Sequence, residues 1–221
     1  MADREGPRMG APAARRHDQD LLIVFARALE AGKVKTRLIP AVGEQGALRV
    51  YRQLLDTTLV AAHDFPGQVE LWTDRPDVTL AARARRAGWG CHVQRGADLG
   101  ARMSSAIAQG LQTYRRVLLV GSDCPLLHHG YFHQALDALN GADVVLGASE
   151  DGGYVLLGSA RPRIWKRNPF SMVRWGTEHA LSDSLSALAL RSRRVATLAA
   201  LWDVDEPQDL SRAVHEGLIK G

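Results

Sequence analysis

The sequence predicts a single-domain, three-layer α/β/α sandwich with a mostly parallel sheet, a Rossmann-like architecture. Three observations predict it. Short apolar runs alternate along the chain with segments of helical periodicity, the rhythm of strands joined by crossover helices. The first run, LLIVFA from Leu21, is continuously apolar, as expected of a strand covered by helices on both faces. Finally, 221 residues, 46% of them hydrophobic and 24% charged, suffice for one sizeable core without requiring a second.

The elements follow in order. Residues 1–19 are rich in Ala, Arg, Gly and Pro and lack an apolar run, so they read as a disordered extension and not as a signal peptide, with Met9 an alternative start. The folded domain is therefore expected over 20–221. After the LLIVFA strand comes a loop, RALEAGKVKTRLIPAVG, and then a helix from Glu44 to His63, in which Ala47, Val50, Leu54, Leu55, Leu59 and Ala62 recur at helical spacing. QVELWT, DVTLAARARRAG, CHVQ, LGARMSSAIAQGLQTY and RRVLLVGSD continue as strand, helix, short strand, helix and strand. Beyond Asp123, YFHQALDALN is helical, and ADVVLGA and GYVLLGS are strands joined by a tight EDGG turn. SDSLSALALRS is helical, RRVATLA is a last strand and EPQDLSRAVHEG closes the chain as a helix.

Charge narrows the possible partners. The net +4 invites nucleic acid, but residues 27–52 alone carry six Lys or Arg against two acids, so the excess belongs to one short segment. A single basic loop is not the aromatic-laced basic face of a nucleic-acid binder. No apolar run approaches the roughly 18 residues a bilayer span needs. Two cysteines, Cys91 and Cys124, are too few for a disulfide framework and suit a cytoplasmic protein, where both are expected as small buried residues.

In an open α/β sheet ligands bind beyond the carboxyl ends of the strands, so residues that directly follow strands are the candidates. In AGKVKTRL, Gly32 permits close backbone approach, and Lys33, Lys35 and Arg37 can offset phosphate charge, although a solvated basic loop has the same composition. The spacing is not that of a Walker A loop. In LLVGSDCPLL a buried strand ends on Asp123, whose desolvation calls for a cation; a divalent metal is the natural receiver and capping of the next helix the alternative. In LWDVDEPQDL, Asp203 and Asp205 alternate along an extended segment and so share a side, as further metal carboxylates or as caps of the helix opened by Pro207. The glycines of GADLGARM and EDGGYVLLG leave amides and a positive-φ turn free for a ligand, with Tyr154 at the rim, although a bare hairpin turn explains Gly152 and Gly153 equally well. His128, His129 and His133 lack an HExxH pattern and read as surface residues, and no G-x-S-x-G elbow points to a serine hydrolase.

Taken in order, FARALEAGKVKTRL, GADLGARM, VLLVGSDCPLL, DVVLGASEDGGYVLLG and WDVDEPQDL resemble the bacterial GT-A-fold transferases labelled glycosyltransferase-like or selenodomain-associated transferases, over about residues 20–218. More distantly the pattern is similar to 2-phospholactate guanylyltransferase and to the molybdenum-cofactor and sugar-acid nucleotidyltransferases. The resemblance implies a GT-A nucleotide-binding fold and Mg²⁺ or Mn²⁺ as cofactor. It implies Lys33, Lys35, Arg37 and Asp123 as catalytic residues, with Ala26, Arg27, Gly32, Lys33, Arg37, Asp98, Gly100, Met103, Ser122 and Asp123 around the nucleotide. It further implies Asp123 and Asp205 as metal ligands with Asp203 a neighbouring candidate, and Asp151, Gly152, Gly153 and Tyr154 at the acceptor. The loop departs from the G-G-x-S-x-R form of the molybdenum-cofactor enzymes, and GSDCP stands where many glycosyltransferases carry D-x-D.

The expected function is Mg-dependent nucleotidyl transfer from an NTP to a small phosphorylated or acidic acceptor, because two lysines and an arginine suit a leaving pyrophosphate. Glycosyl transfer from a nucleotide-sugar is the alternative, and a non-catalytic nucleotide-binding module a second. The expected partners are a nucleotide and a small molecule, with neither nucleic acid nor membrane.

Overall fold

Seven short runs of mostly apolar residues pair side by side in a computed structural model that describes residues 19–192 and 194–220. The strands are β1 (Asp20–Ala26), β2 (Gln68–Thr73), β3 (Gly90–Val93), β4 (Arg116–Val120), β5 (Val144–Ser149), β6 (Tyr154–Ser159) and β7 (Val195–Leu201). Their order is β3-β2-β1-β4-β6-β5-β7, and β6 alone runs antiparallel to its neighbours. The extension expected over residues 1–19 falls on positions outside the described residues, except Gln19, whose carbonyl accepts from Arg115 N at 2.9 Å.

The helices are α1 (Ile39–His63), α2 (Val78–Arg86), α3 (Leu99–Gly110), α4 (His129–Gly141), α5 (Ala180–Ala189) and α6 (Pro207–His215). They divide between the sheet's two faces as the side chains of β1 do. Leu22 and Val24 face the cluster built from α1, α2 and α4 through Leu55, Leu80 and Phe132, whereas Leu21, Ile23 and Phe25 face α3 and α5 through Ile107 and Leu188. Alternate burial to both sides is why LLIVFA is apolar without a break, each large side chain contributing about 1.5–3 kcal/mol on burial. A third cluster joins the other side of α1, through Val50 and Leu54, to Trp202, Val204 and Ala213 of the C-terminal segment. It holds that segment beside the sheet's carboxyl edge.

Three local expectations change. α1 opens with a helical turn from Ile39, interrupted at Gly43 (φ 70°, ψ 168°), and the long helix resumes where the sequence places its start, at Glu44. α3 ends at Gly110 instead of reaching Tyr114: a Cβ on Gly110 would come 2.8 Å from Val117 and 2.9 Å from Leu21, so the helix end lies directly on the sheet. Cys124 is buried as expected, but Cys91 is exposed, on the edge strand β3.

Candidate active site

The chain leaves β1 toward β2 and β3 on one side and returns to form β4 on the other, so the loops after β1 and β4 diverge from adjacent strand ends. This is the topological switch point of the sheet, where a cleft opens. The loop after β1 is tied down there by backbone contacts. Asp74 Oδ1 accepts from Ala28 N and Asp77 Oδ2 from Leu29 N, both at 2.7 Å. The buried hydroxyl of Tyr51, on α1, accepts from Arg27 N at 2.7 Å and lies 3.0 Å from Ser122 Oγ. One α1 side chain thereby fixes both diverging loops.

Lys35 sits in the left-handed region (φ 44°, ψ 48°), a conformation that costs a non-glycine residue about 1–2 kcal/mol. Its ammonium turns inward, 2.7 Å from Asp205 Oδ1 and 3.2 Å from Asp123 Oδ2, with a side chain only 7% exposed. Burial alone would lower the Lys35 pKa; the two carboxylates outweigh it and hold the pKa above its usual value.

Asp123 follows β4, and Gly121 makes room for it, since a Cβ at that glycine would lie 2.8 Å from Asp123 Oδ1. The N-cap position of α4 is His128, which makes no side-chain capping bond and lies well beyond Asp123, so the capping alternative for Asp123 does not apply. The segment after β7 alternates as the sequence implies: Trp202 and Val204 are buried, while Asp203 and Asp205 turn to the cleft. Val204 N donates to the Asp123 carbonyl at 3.1 Å, which joins the two acidic segments. Asp209 accepts from Asp205 N and Glu206 N and so serves the start of α6, and the Asp205 carboxylate turns instead to Lys35. One oxygen from each of Asp123, Asp203 and Asp205 lies within 4.8 Å of the others. Asp203, which accepts from Ser149 Oγ at 2.8 Å, is pushed up to about 7 by burial and by the neighbouring charges of Asp123 and Asp151. In Asp205 burial is outweighed by Lys35 and Arg37, and its pKa falls below the usual carboxylate value.

Of the other sequence candidates, Arg37 lies at the mouth, 3.3 Å from Glu206 and 3.7 Å from Asp205, while Lys33 is exposed. Ala26 ends β1 with its carbonyl engaged by Asp74 N and Gln94 Nε2; Arg27 reaches the Lys33 carbonyl at 3.1 Å; Gly32 (φ 76°) has the Glu44 carboxylate against its Cα. Asp98 is committed to capping α3 through Ala101 N at 2.8 Å. Gly100 packs against Phe170 and Trp175, and Met103 is buried in the core. Asp151 holds its own turn by accepting from Gly153 N at 2.8 Å. Tyr154 is half-buried, its ring on Trp175 and its hydroxyl 3.4 Å from Ser184 Oγ. His128, His129 and His133 are exposed, as expected.

Sequence reasoning missed Tyr51, Asp74, Asp77 and Trp175. Tyr51 is an ordinary core position of an amphipathic helix by spacing, and the two acids lie in a loop with no distinguishing motif. Two concavities of about 450 and 340 Å³ flank α2, at Cys91 and His92 and at Leu59 and His63, and include none of the strand-end acids. The acidic cluster lies outside both. Three hard carboxylates in one cluster form a donor set that fits Mg²⁺ or Mn²⁺, both of which favour oxygen ligands. Among the described residues no helix is long and apolar enough to cross a membrane.

Comparisons with known proteins fit this architecture. The chain is similar to a Desulfovibrio desulfuricans G20 protein provisionally described as a nucleotide-diphospho-sugar transferase, at 27% identity and a TM-score of 0.78, covering 90% of this chain and 87% of that one. The 4-diphosphocytidyl-2C-methyl-D-erythritol synthase of Anaerococcus prevotii shares the fold at 12% identity and a TM-score of 0.63, over 91% and 96% of the two chains. So does Rv0371C of Mycobacterium tuberculosis H37Rv, solved as a complex with manganese, at 18% identity and a TM-score of 0.52, over 89% and 98%. No curated protein matches the sequence. The fold is thus the GT-A-like fold of nucleotidyltransferases and nucleotide-sugar transferases. Residues 57–177 match the family model described as "Uncharacterized protein conserved in bacteria (DUF2064)", and the chain belongs to that family.

Proposed function

We propose that the protein is a divalent-metal-dependent transferase that takes a nucleotide donor and a small-molecule acceptor, by nucleotidyl transfer from an NTP to a phosphorylated or acidic acceptor. The observation that carries this reading is the meeting of Asp123, Asp203 and Asp205 with the Lys35 loop at the switch point. A metal would be held by Asp123 and Asp205 with Asp203 adjoining, and when bound it supplies Lewis-acid neutralisation of phosphate charge.

The chain's own residues do the rest. Ala26, Arg27, Gly32 and Ser122 border the nucleotide's cleft, and the first turn of α3 at Asp98 and Gly100 borders its far side, supported from beneath by Met103. Lys33, Lys35 and Arg37 offset charge on the departing phosphates. An acceptor phosphate oxygen bonds to the α-phosphorus as the α–β bridging bond breaks, and pyrophosphate leaves with that electron pair. The acceptor lies by Asp151, Gly152, Gly153 and Tyr154.

Glycosyl transfer from a nucleotide-sugar is the second reading, favoured by the likeness to the Desulfovibrio protein. A thermal-shift panel of NTPs and nucleotide-sugars with and without Mg²⁺ separates them, since ligands of the native state raise Tm. Stabilisation by GTP or CTP but not by nucleotide-sugars supports the first reading; the reverse supports the second. Asp123→Asn should lower turnover by orders of magnitude, and an unaffected variant would point instead to a non-catalytic nucleotide-binding module.

A further inference from the structure

A second concentration of positive charge lies far from the basic loop. No acid occurs between Asp151 and Glu178 or between Asp183 and Asp203, whereas those two stretches carry five and three Lys or Arg. The fold brings the middle of both to the amino ends of β5 and β7. Asp143, just before β5, accepts from Arg161 Nε at 2.8 Å and from Ser192 Oγ and Arg194 N, both at 3.3 Å. Arg191 Nη1, just beyond α5, donates to the Arg167 carbonyl at 2.9 Å. β6 runs antiparallel to β5, so its last residue, Ser159, lies at the same edge, where its Oγ accepts from Trp165 Nε1 at 2.8 Å.

Local geometry turns the cations outward. Pro162–Lys166 is a short 3₁₀ helix, in which residues three apart eclipse. Ile164 and Trp165 are buried, so Arg163 and Lys166 share the exposed side, with Arg167 next to them. Arg163, Lys166, Arg167, Arg191 and Arg194 are all exposed, and none has an ion pair among the described residues. The bordering acids are already engaged, Asp143 by Arg161 and Asp183 by Arg174. Beside Arg191, where α5 ends, Leu190 is 88% exposed.

Free cations around an apolar tip match a surface that carries dispersed negative charge over an apolar layer. An acidic peptide would need a groove, and the two concavities beside α2 include none of these residues. Single-stranded nucleic acid would need open aromatic faces, but Trp165 is buried, and a duplex backbone has no use for Leu190. We infer that this face seats the chain on an anionic lipid bilayer, with the cations among the headgroups and Leu190 at the acyl boundary. The acidic cluster lies beyond the carboxyl ends of β4 and β7, at the opposite edge of the sheet, so the cleft of a seated chain opens to solvent. Such seating is independent of what the cleft transfers.

Co-sedimentation of the full chain with vesicles tests it, using equal parts of phosphatidylglycerol and phosphatidylcholine, then phosphatidylcholine alone, with titration of a short duplex DNA beside them. The chain should bind the mixed vesicles and not the neutral ones, and should lose most of that binding near molar salt, where charges are screened beyond about 3 Å. Arg163→Gln combined with Lys166→Gln should weaken binding about tenfold or more, because each cation near such a surface contributes roughly fivefold. Leu190→Ser should weaken it severalfold and leave its salt dependence unchanged. All three positions are exposed, and Tm identifies any variant that fails to fold. Lys33→Gln, in the other basic loop, should bind vesicles as wild type does. No binding to mixed vesicles at low salt, or equal binding by the Arg163→Gln and Lys166→Gln double variant, overturns the seating. Tighter binding to duplex DNA, unaffected by Leu190→Ser, overturns it in favour of a nucleic-acid partner.

Discussion

The Lys35 ammonium lies 2.7 Å from the Asp205 carboxylate and also contacts Asp123, so without metal or nucleotide the side chain proposed to offset phosphate charge neutralises the metal-ligand candidates. Lysine and metal compete for the same oxygens. Lys35→Met should therefore have opposite effects on folding and on metal binding. Without metal the carboxylates lose their counter-charge, and stability should fall by about 2–3 kcal/mol, less than for a fully buried pair because both acids are partly exposed. Mn²⁺ affinity in the absence of nucleotide should rise at least about tenfold. Denaturant titration in EDTA and Mn²⁺ calorimetry read the two effects, and a weaker Mn²⁺ affinity would refute the competition.

Asp203 makes stability depend on pH. Its carboxyl is pushed up to about 7, so between about pH 4 and 7 the folded chain keeps a proton that the unfolded chain has released. Stability contributed by this group falls as pH rises through that window and levels off above it. Asp205, held below the usual value, acts in the opposite sense but only below about pH 4. Asp203→Asn should thus lose less stability than wild type between about pH 5 and 8 in EDTA. Parallel unfolding free energies for the two proteins would show that Asp203 is ionised throughout.

Tyr51→Phe removes one hydroxyl that serves both switch-point loops. The Arg27 N–H loses its acceptor and Ser122 its partner in a part-buried site, a cost of about 1–3 kcal/mol. Faster hydrogen exchange at the Arg27 amide should accompany the lowered urea midpoint. Unchanged exchange would mean that the loops hold their shape without this tie.

Two glycines of one region offer an internal control. Gly152 (φ 84°) abuts the Glu178 carbonyl, whereas Gly176 (φ 72°) has nothing within 4 Å of a Cβ. Gly176→Ala should cost only the left-handed penalty, about 1 kcal/mol, while Gly152→Ala adds a backbone clash and should cost about 3 kcal/mol or more. Equal midpoints in urea would contradict the close approach of the turn to the 177–181 segment.

How much of this was legible varies by residue. LLIVFA read as a doubly covered strand because apolar burial on both faces leaves no other composition, and Asp123 followed from its position at a strand end. The alternation of Asp203 and Asp205 gave their shared side by strand geometry alone. Lys35 was found, but its partner was not, because the left-handed backbone that turns it inward is set by the surrounding loop. Asp98 and Met103 stood out in a motif; what the structure adds is that the first caps α3 and the second is buried in the core. Tyr51 and Trp175 carried no signal, since an aromatic at a core spacing or in a loop is usually packing.

The sequence by itself determined the alternation of elements, the helix-covered central strands and the strand-end positions of the acids and the basic loop, because each follows from local periodicity and the cost of burying charge. Only the tertiary structure decided that the basic loop meets the acids, that one tyrosine ties two loops, and that Trp175 packs between Gly100 and Tyr154. Those contacts join residues as far apart as Lys35 and Asp205, and long-range approach is set by sheet order and packing, which no local pattern encodes.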